Sequence, residues 1–432
     1  MSPAPLRETD EVVMAGTGEA GGTRRPVALW VVTRTVLLLC VFKVFTVPGP
    51  DVTSDVSVIY QGWYEVLRTG TFPLDDITWQ YPPAAALALL SPALLPFLGY
   101  TSAFFVLAFL ADTVVMGLLL YAGRRPGKRL AGAWVWVAGV PLLGPTAYAR
   151  YDVMVTAVAV AALLAGARRP RVLGALAAFG ALLKVWPLLL LVGAPRGRRA
   201  RSAGMAAAAG LAGLMVLFCA TMPGALAFLT FQRERGTEIE SLGALVFHAA
   251  RHFGWRGQVL LNYGSVEFLG PYVPVVSTAA MALTALAFGW LLLWRVRAVE
   301  FAASTPCDAA FAALLLFTTT SRVISPQYML WLVGLAAVCL VFRGSRMGAP
   351  ARLVLAATGV TFLEFPIWFS HVVSSDWLGV LLLTVRNGLL VAATLMACRR
   401  LWQQTVSGPR ARAQRPLPAQ RAADTERELL AS

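Results

Sequence analysis

Charge is scarce in this chain. Of 432 residues only 14% are Asp, Glu, Lys or Arg, about half the share in ordinary soluble domains, and this excludes a soluble multidomain protein. Cysteine is sparse too. The five (Cys40, Cys219, Cys307, Cys339, Cys398) sit in or beside apolar runs with no CxxC pair, so they read as small buried hydrophobes and not as a disulfide framework. There are three histidines, no HExxH, no GxSxG, no GxxxxGK[ST] and no internal repeat, which leaves metalloprotease, serine-hydrolase and nucleotide-driven chemistry without a motif.

What the chain has instead is apolar length. Mean hydropathy is +0.67 and 58% of residues are apolar. Segments of about 20 apolar residues cross a bilayer, and candidates lie near 27–47, 101–122, 131–147, 152–167, 203–222, 272–294, 306–321, 326–342, 350–371 and 377–398. The expected fold is an all-α polytopic membrane helix bundle of about 11–13 membrane helices, some short or broken. Residues 1–26 read as a cytoplasmic tail, 27–402 as the membrane domain and 403–432 as a disordered cytoplasmic tail.

The net charge of +15 would suggest nucleic acid in a soluble chain; here it reports orientation. Clusters at Arg24-Arg25, Arg124–Arg129, Arg168–Arg171, Arg196–Arg201, Arg295–Arg297, Arg343–Arg346 and Arg399-Arg400 belong on the cytoplasmic side. Keeping them there requires 83–98 to be a half-crossing helix and 172–195 to be a hairpin with Lys184 near its outer apex. The alternative makes each a full span and leaves two basic loops outside. Broken helices at membrane depth need protein or a wet cavity to satisfy their backbone, so both segments point to an extracytoplasmic cavity. The outer loops are then 48–82 and 223–271.

Candidate residues gather on that outer side. The first loop carries Asp51 and Asp55, then Tyr81-Pro82-Pro83, whose prolines fix how the chain turns back toward the membrane. Arg150 and Asp152 lie between two spans, Lys184-Val-Trp186-Pro187 breaks another, and Arg322 precedes Ser325-Pro326-Gln327-Tyr328. His248 and His252 are four apart, so they share a face if 240–253 is helical; without a third ligand nearby, an interfacial or acceptor-side position fits better than zinc.

In order and spacing these motifs resemble glycosyltransferase family 87, over roughly residues 27–400. The resemblance rests on an early Asp in a D-x-x-V-x-Y-like context, Tyr-Pro-Pro, a mid-chain Lys-x-x-Pro and a late Ser-Pro-Gln-Tyr-x-x-Trp. It implies a C-type membrane transferase in the cell membrane, with cytoplasmic termini and an extracytoplasmic active site. The implied reaction moves mannose from a polyprenyl-phosphate donor to a glycolipid or glycan acceptor. It places the catalytic base on Asp55, with Asp51 as rival because the loop reads Asp-x-x-x-Asp. Lys184, Arg322 and Arg386 become phosphate clamps, with Arg150, Asp152, Tyr81, Gln327, Tyr328 and His248 as further substrate contacts. A single base with direct displacement would invert the anomeric centre. No metal is required, since one Asp beside Asp55 is thin for an oxygen-ligated cation; a divalent cation stays an alternative.

Competing readings stand beside these. Lys184 and Arg322 could snorkel to the interface, and Arg386, near mid-depth of its span, could pair with Glu364. A lipid-sugar flippase would draw on the same cavity, but its expected matching breaks in the second half are absent. Beyond donor and acceptor, the implied partner is the lipid bilayer, not nucleic acid.

Overall fold

The computed structural model describes residues 9–233 and 236–408, with side chains for 22–230 and 236–408. Sixteen α-helices run through these residues. The first half holds α1 (Thr9–Val41), α2 (Gln61–Leu67), α3 (Ala85–Leu90), α4 (Tyr100–Gly123), α5 (Ala131–Leu142), α6 (Asp152–Gly166), α7 (Pro170–Leu183) and α8 (Arg198–Thr221). Then come α9 (Phe228–Arg233), α10 (Leu245–Arg251), α11 (Val273–Arg297), α12 (Thr305–Thr320), α13 (Tyr328–Val341), α14 (Gly348–Phe362), α15 (Phe369–Ser374) and α16 (Trp377–Trp402). Five helical stretches are long and apolar enough to cross a membrane: α4, α8, α11, α14 with its continuation to Ile367, and α16 with its continuation to Ser407. The protein is a polytopic membrane helix bundle, as its hydropathy predicts.

Several segments expected as full spans are shorter. α5, α6 and α13 have 12, 15 and 14 residues, or about 18–22 Å at 1.5 Å per residue, less than the roughly 30 Å of hydrocarbon. They sit inside the bundle, where protein and not lipid satisfies their ends. In α13 every residue from Met329 to Val341 is buried, which explains why that helix is apolar on all sides. Close approach between α5 and α13 needs small residues. A Cβ on Gly132 would lie 2.3 Å from the Ala337 carbonyl oxygen, and one on Gly139 2.4 Å from Val333.

Neither irregular segment is one continuous helix. Residues 83–98 make only α3 and one 3₁₀ turn, Ser91–Leu94. α7 stops at Leu183, Lys184 is extended, and the chain doubles back as a 3₁₀ helix over Trp186–Leu191. Pro187 packs where a Cβ on Gly180 would be, 2.9 Å away, so the tight return depends on glycine there.

The bundle has two unlike ends. α6 and α13 begin, and α7 and α12 finish, at the end carrying Asp152, Tyr328, Lys184 and Arg322. The basic clusters meet at the other: Arg129 and Arg343 bond across to Leu340 and Lys128 carbonyls, and Arg196 bonds to Ala298.

Four boundaries differ from expectation. α1 already starts at Thr9, inside the segment read as a tail. Gln403–Ser407 continues the last helix as a π turn with Thr405 and Val406 buried, because Trp294 donates to the Thr405 hydroxyl at 2.9 Å; only 409–432 of the expected tail lies outside the described residues. The segment 223–271 contains a small antiparallel sheet, ordered β1 (Thr237–Glu238), β3 (Ser265–Leu269), β2 (Gln258–Asn262). Its presence shortens the helix expected over 240–253 to Leu245–Arg251.

Candidate active site

A cavity of about 410 Å³ opens among the loop after α1, the Lys184 break, the β2–β3 turn and the start of α13. Asp55 and Lys184 are delivered to it by local breaks in helix. Asp51 builds the first: its carboxylate accepts from the Thr53 N–H (2.9 Å) and hydroxyl (2.6 Å), an Asx turn that starts the π turn Asp55–Tyr60. Asp55 thus reaches the cavity wall with its side chain about one-third exposed.

Asp51 itself faces a separate crevice and pairs with Lys43 at 2.8 Å. Partial burial would raise its carboxyl pKa, but Lys43 and the Thr53 bonds hold it below the usual range. Of the two rivals, only Asp55 lines the cavity.

Arg150 and Asp152 stand behind the wall and hold residues that line it. The Arg150 guanidinium lies 2.6 Å from Asp55 Oδ2 and is fixed from behind by the Val52 and Ala149 carbonyls. Asp152 Oδ1 accepts from Lys184 Nζ and from the Trp331 indole, both at 2.7 Å. Lys184 is also ringed by Tyr81, Tyr151, Tyr328 and Trp331, with its ammonium 5.0–5.6 Å from their centroids. A carboxylate and four ring faces together stabilise its positive charge in place. Snorkelling does not describe it.

Behind this layer the chain is anchored again. Tyr148 donates to Asp112 Oδ2 at 2.5 Å, and Asp112 pairs with Arg34 at 2.7 Å, all fully buried. That anchor fixes the segment 148–152, which carries both Arg150 and Asp152.

Arg322 borders the cavity and donates to the Ser277 hydroxyl on α11 at 3.3 Å. Tyr81, Gln327 and Tyr328 line the wall, and Tyr328 stacks on Trp331 at 3.9 Å, which stacks on Trp186 at 5.4 Å. Tyr60 and Trp186 also line the cavity, while the Tyr60 hydroxyl and the Trp186 indole N–H are buried away from it, without a hydrogen-bond partner among the described residues.

Two candidates fall elsewhere. Arg386 is fully buried, bound to Glu364 at 2.9 Å and to the Glu240 carbonyl at 2.7 Å; this buried pairing keeps it from the cavity. His248 is also fully buried, in a second apolar cluster beneath the sheet, between the Ser375 hydroxyl (2.7 Å) and the Ile239 carbonyl (2.8 Å). Desolvation lowers its pKa to about 4, which suits a neutral packing residue. Among the described residues, no group of three or more His, Cys, Asp or Glu side chains is arranged to hold a metal.

Sequence reasoning missed the β2–β3 turn. Tyr263 and Gly264 both have positive φ, as a two-residue hairpin turn demands, and Tyr263, Gly264 and Ser265 form one cavity wall. Gln80 latches it by donating to the Tyr263 carbonyl at 2.9 Å. The available signal was Asn262-Tyr-Gly-Ser265 between two short apolar runs.

Comparison with known proteins follows from this geometry. Residues 79–326, more than half of the chain, match the family model described as glycosyltransferase family 87. The match takes in Tyr81, Arg150, Asp152, Lys184 and Arg322; Gln327 and Tyr328 lie just beyond its end, and Asp55 lies well before its start. No curated protein matches the chain.

Proposed function

The chain belongs to glycosyltransferase family 87, and from that premise we propose that it transfers mannose from a polyprenyl-phosphate donor to a glycolipid or glycan acceptor with inversion. The reaction takes place on the extracytoplasmic face of the cell membrane. The basic end of the bundle is then cytoplasmic, with both termini, as basic loops are retained on that side.

The observation that carries the reading is the pairing of Asp55 with Arg150 on a wall facing a second, separately held cation, Lys184. Arg150 occupies Oδ2 and leaves Oδ1 to take the proton of the acceptor hydroxyl. The acceptor oxygen attacks the anomeric carbon as the bond from that carbon to the phosphate oxygen breaks. The electron pair leaves on the polyprenyl phosphate, which gains negative charge. Lys184 and Arg322 stabilise that charge from fixed positions, the most effective arrangement in a water-poor site. The Tyr328–Trp331–Trp186 stack supplies flat apolar faces beside the cavity for a sugar ring. No step requires a metal.

The test is sugar transfer by purified protein in nanodiscs, given labelled polyprenyl-phospho-mannose and a lipid acceptor. The proposal expects labelled acceptor of the opposite anomeric configuration. Movement of the donor across proteoliposomes without transfer would instead establish the flippase.

A further inference from the structure

The end of the bundle opposite Asp55 carries a cavity that the proposed reaction does not use. It measures about 300 Å³ and lies where three connections meet: the α6–α7 turn (Gly166, Ala167), the start of α8 (Arg199) and the α11–α12 linker (Phe301). Arg199 is its one charged lining residue; the rest is apolar or small. Arg168, Arg169, Arg171, Arg198 and Arg201 stand exposed on the same turn and helix start, and no carboxylate among the described residues pairs with them.

Depth matters here. α8 begins at Arg198 and α11 ends at Arg297, and both are long enough to cross the membrane with only 17% of their apolar windows buried by protein. The cavity therefore sits where lipid-facing helices end, at the level of phospholipid headgroups. A fully solvated anion would match the arginines but not the apolar lining. An apolar side chain from a partner would match the lining but not the charge. One ligand class has both parts at that depth.

We propose that this cavity binds an anionic phospholipid, with acyl chain against the apolar lining and phosphate on Arg199. The surrounding guanidinium groups select a net-negative headgroup over a zwitterionic one. The lipid would bridge the α6–α7 turn and the α11–α12 linker. Those connections lead, through α7 and α12, to Lys184 and Arg322 at the opposite end, but binding does not depend on the reaction assigned there.

The experiment is native mass spectrometry of the full chain in detergent, titrated with phosphatidylglycerol or phosphatidylcholine of equal chain length. Wild type is expected to keep one phosphatidylglycerol at detergent levels that strip phosphatidylcholine. Arg199→Glu is expected to weaken that adduct about tenfold, the scale of one charge-assisted phosphate contact. Ala167→Trp, which fills the cavity from an exposed position, should do the same if Arg199→Glu does not fold. Arg297→Glu changes the same charge outside the cavity and should leave the adduct intact. Equal retention of both lipids, retention by both cavity variants, or equal loss in Arg297→Glu would each overturn the proposal.

Discussion

Arg150 Nη2 sits 2.6 Å from Asp55 Oδ2, and two residues along the same turn Asp152 holds Lys184 at 2.7 Å. One short segment between α5 and α6 thus orients the proposed base and the proposed phosphate cation together. The segment is rigid because Tyr148 at its start is tied to the buried Asp112–Arg34 pair.

Arg150→Met should misplace the base without emptying the cavity. We expect kcat to fall about 100-fold, the cost of roughly 1 Å of misplacement, with donor KM little changed. Initial rates across both substrates check this; a rise in donor KM alone would make Arg150 a phosphate ligand instead.

Lys184→Met removes a cation aimed at the leaving phosphate. The expected loss in kcat/KM is about 10²–10³, the range for one fixed donor at developing charge. Trp331→Phe keeps the ring stack but deletes the indole bond to Asp152, and should cost about tenfold in the same assay.

His248 makes the segment around the sheet sensitive to acid. Its folded pKa of about 4 lies below the unfolded value near 6.5, so the unfolded state binds the extra proton first as pH falls. The stabilisation is fully present above pH 6.5, shrinks through the window between, and is gone below pH 4. By pH 5 the loss is on the order of 2 kcal/mol. Buried Glu240 in the same segment, its carboxyl pKa raised by desolvation, acts in the opposite sense, so the histidine is read by difference: between pH 7.5 and 5, hydrogen exchange of 237–269, corrected for intrinsic rate, should lose more protection in wild type than in His248→Gln.

The bundle in outline was legible in the sequence because hydrophobic length and basic clusters are one-dimensional signals. The break at Lys184 was legible too, since a charge and a proline three residues apart inside an apolar run both oppose an uninterrupted membrane helix. Depth and direction were not. Arg386 has the same chemistry as Arg322, and of its two readings the pairing with Glu364 is the one the structure shows, inside α16, while Arg322 lies in the α12–α13 connection and borders the cavity. Arg150 and Asp152 lay in the right segment, but their places behind the wall depend on contacts with residues far away in the chain. The sheet was hidden because its strands span two to five residues, too few for alternation to stand out from an amphipathic helix.

Gly132→Ala should destabilise the fold without touching the site, because the new methyl meets the Ala337 carbonyl on α13. A loss of about 1–3 kcal/mol is expected for such overpacking, read as a lower thermal-aggregation temperature in detergent and a lower folded yield. The equally small change at Gly117, where nothing lies within 4 Å, should be silent.

The proposed mechanism stands or falls on Asp55, and not Asp51, being the base. Single-turnover transfer from labelled polyprenyl-phospho-mannose, by Asp55→Asn and Asp51→Asn proteins of equal folded yield, decides between them. A fall of at least about 10³ is expected for Asp55→Asn, within the usual range for a lost general base and its orientation, and no more than about tenfold for Asp51→Asn. Wild-type transfer by Asp55→Asn, or an inactive Asp51→Asn beside an active Asp55→Asn, would contradict it.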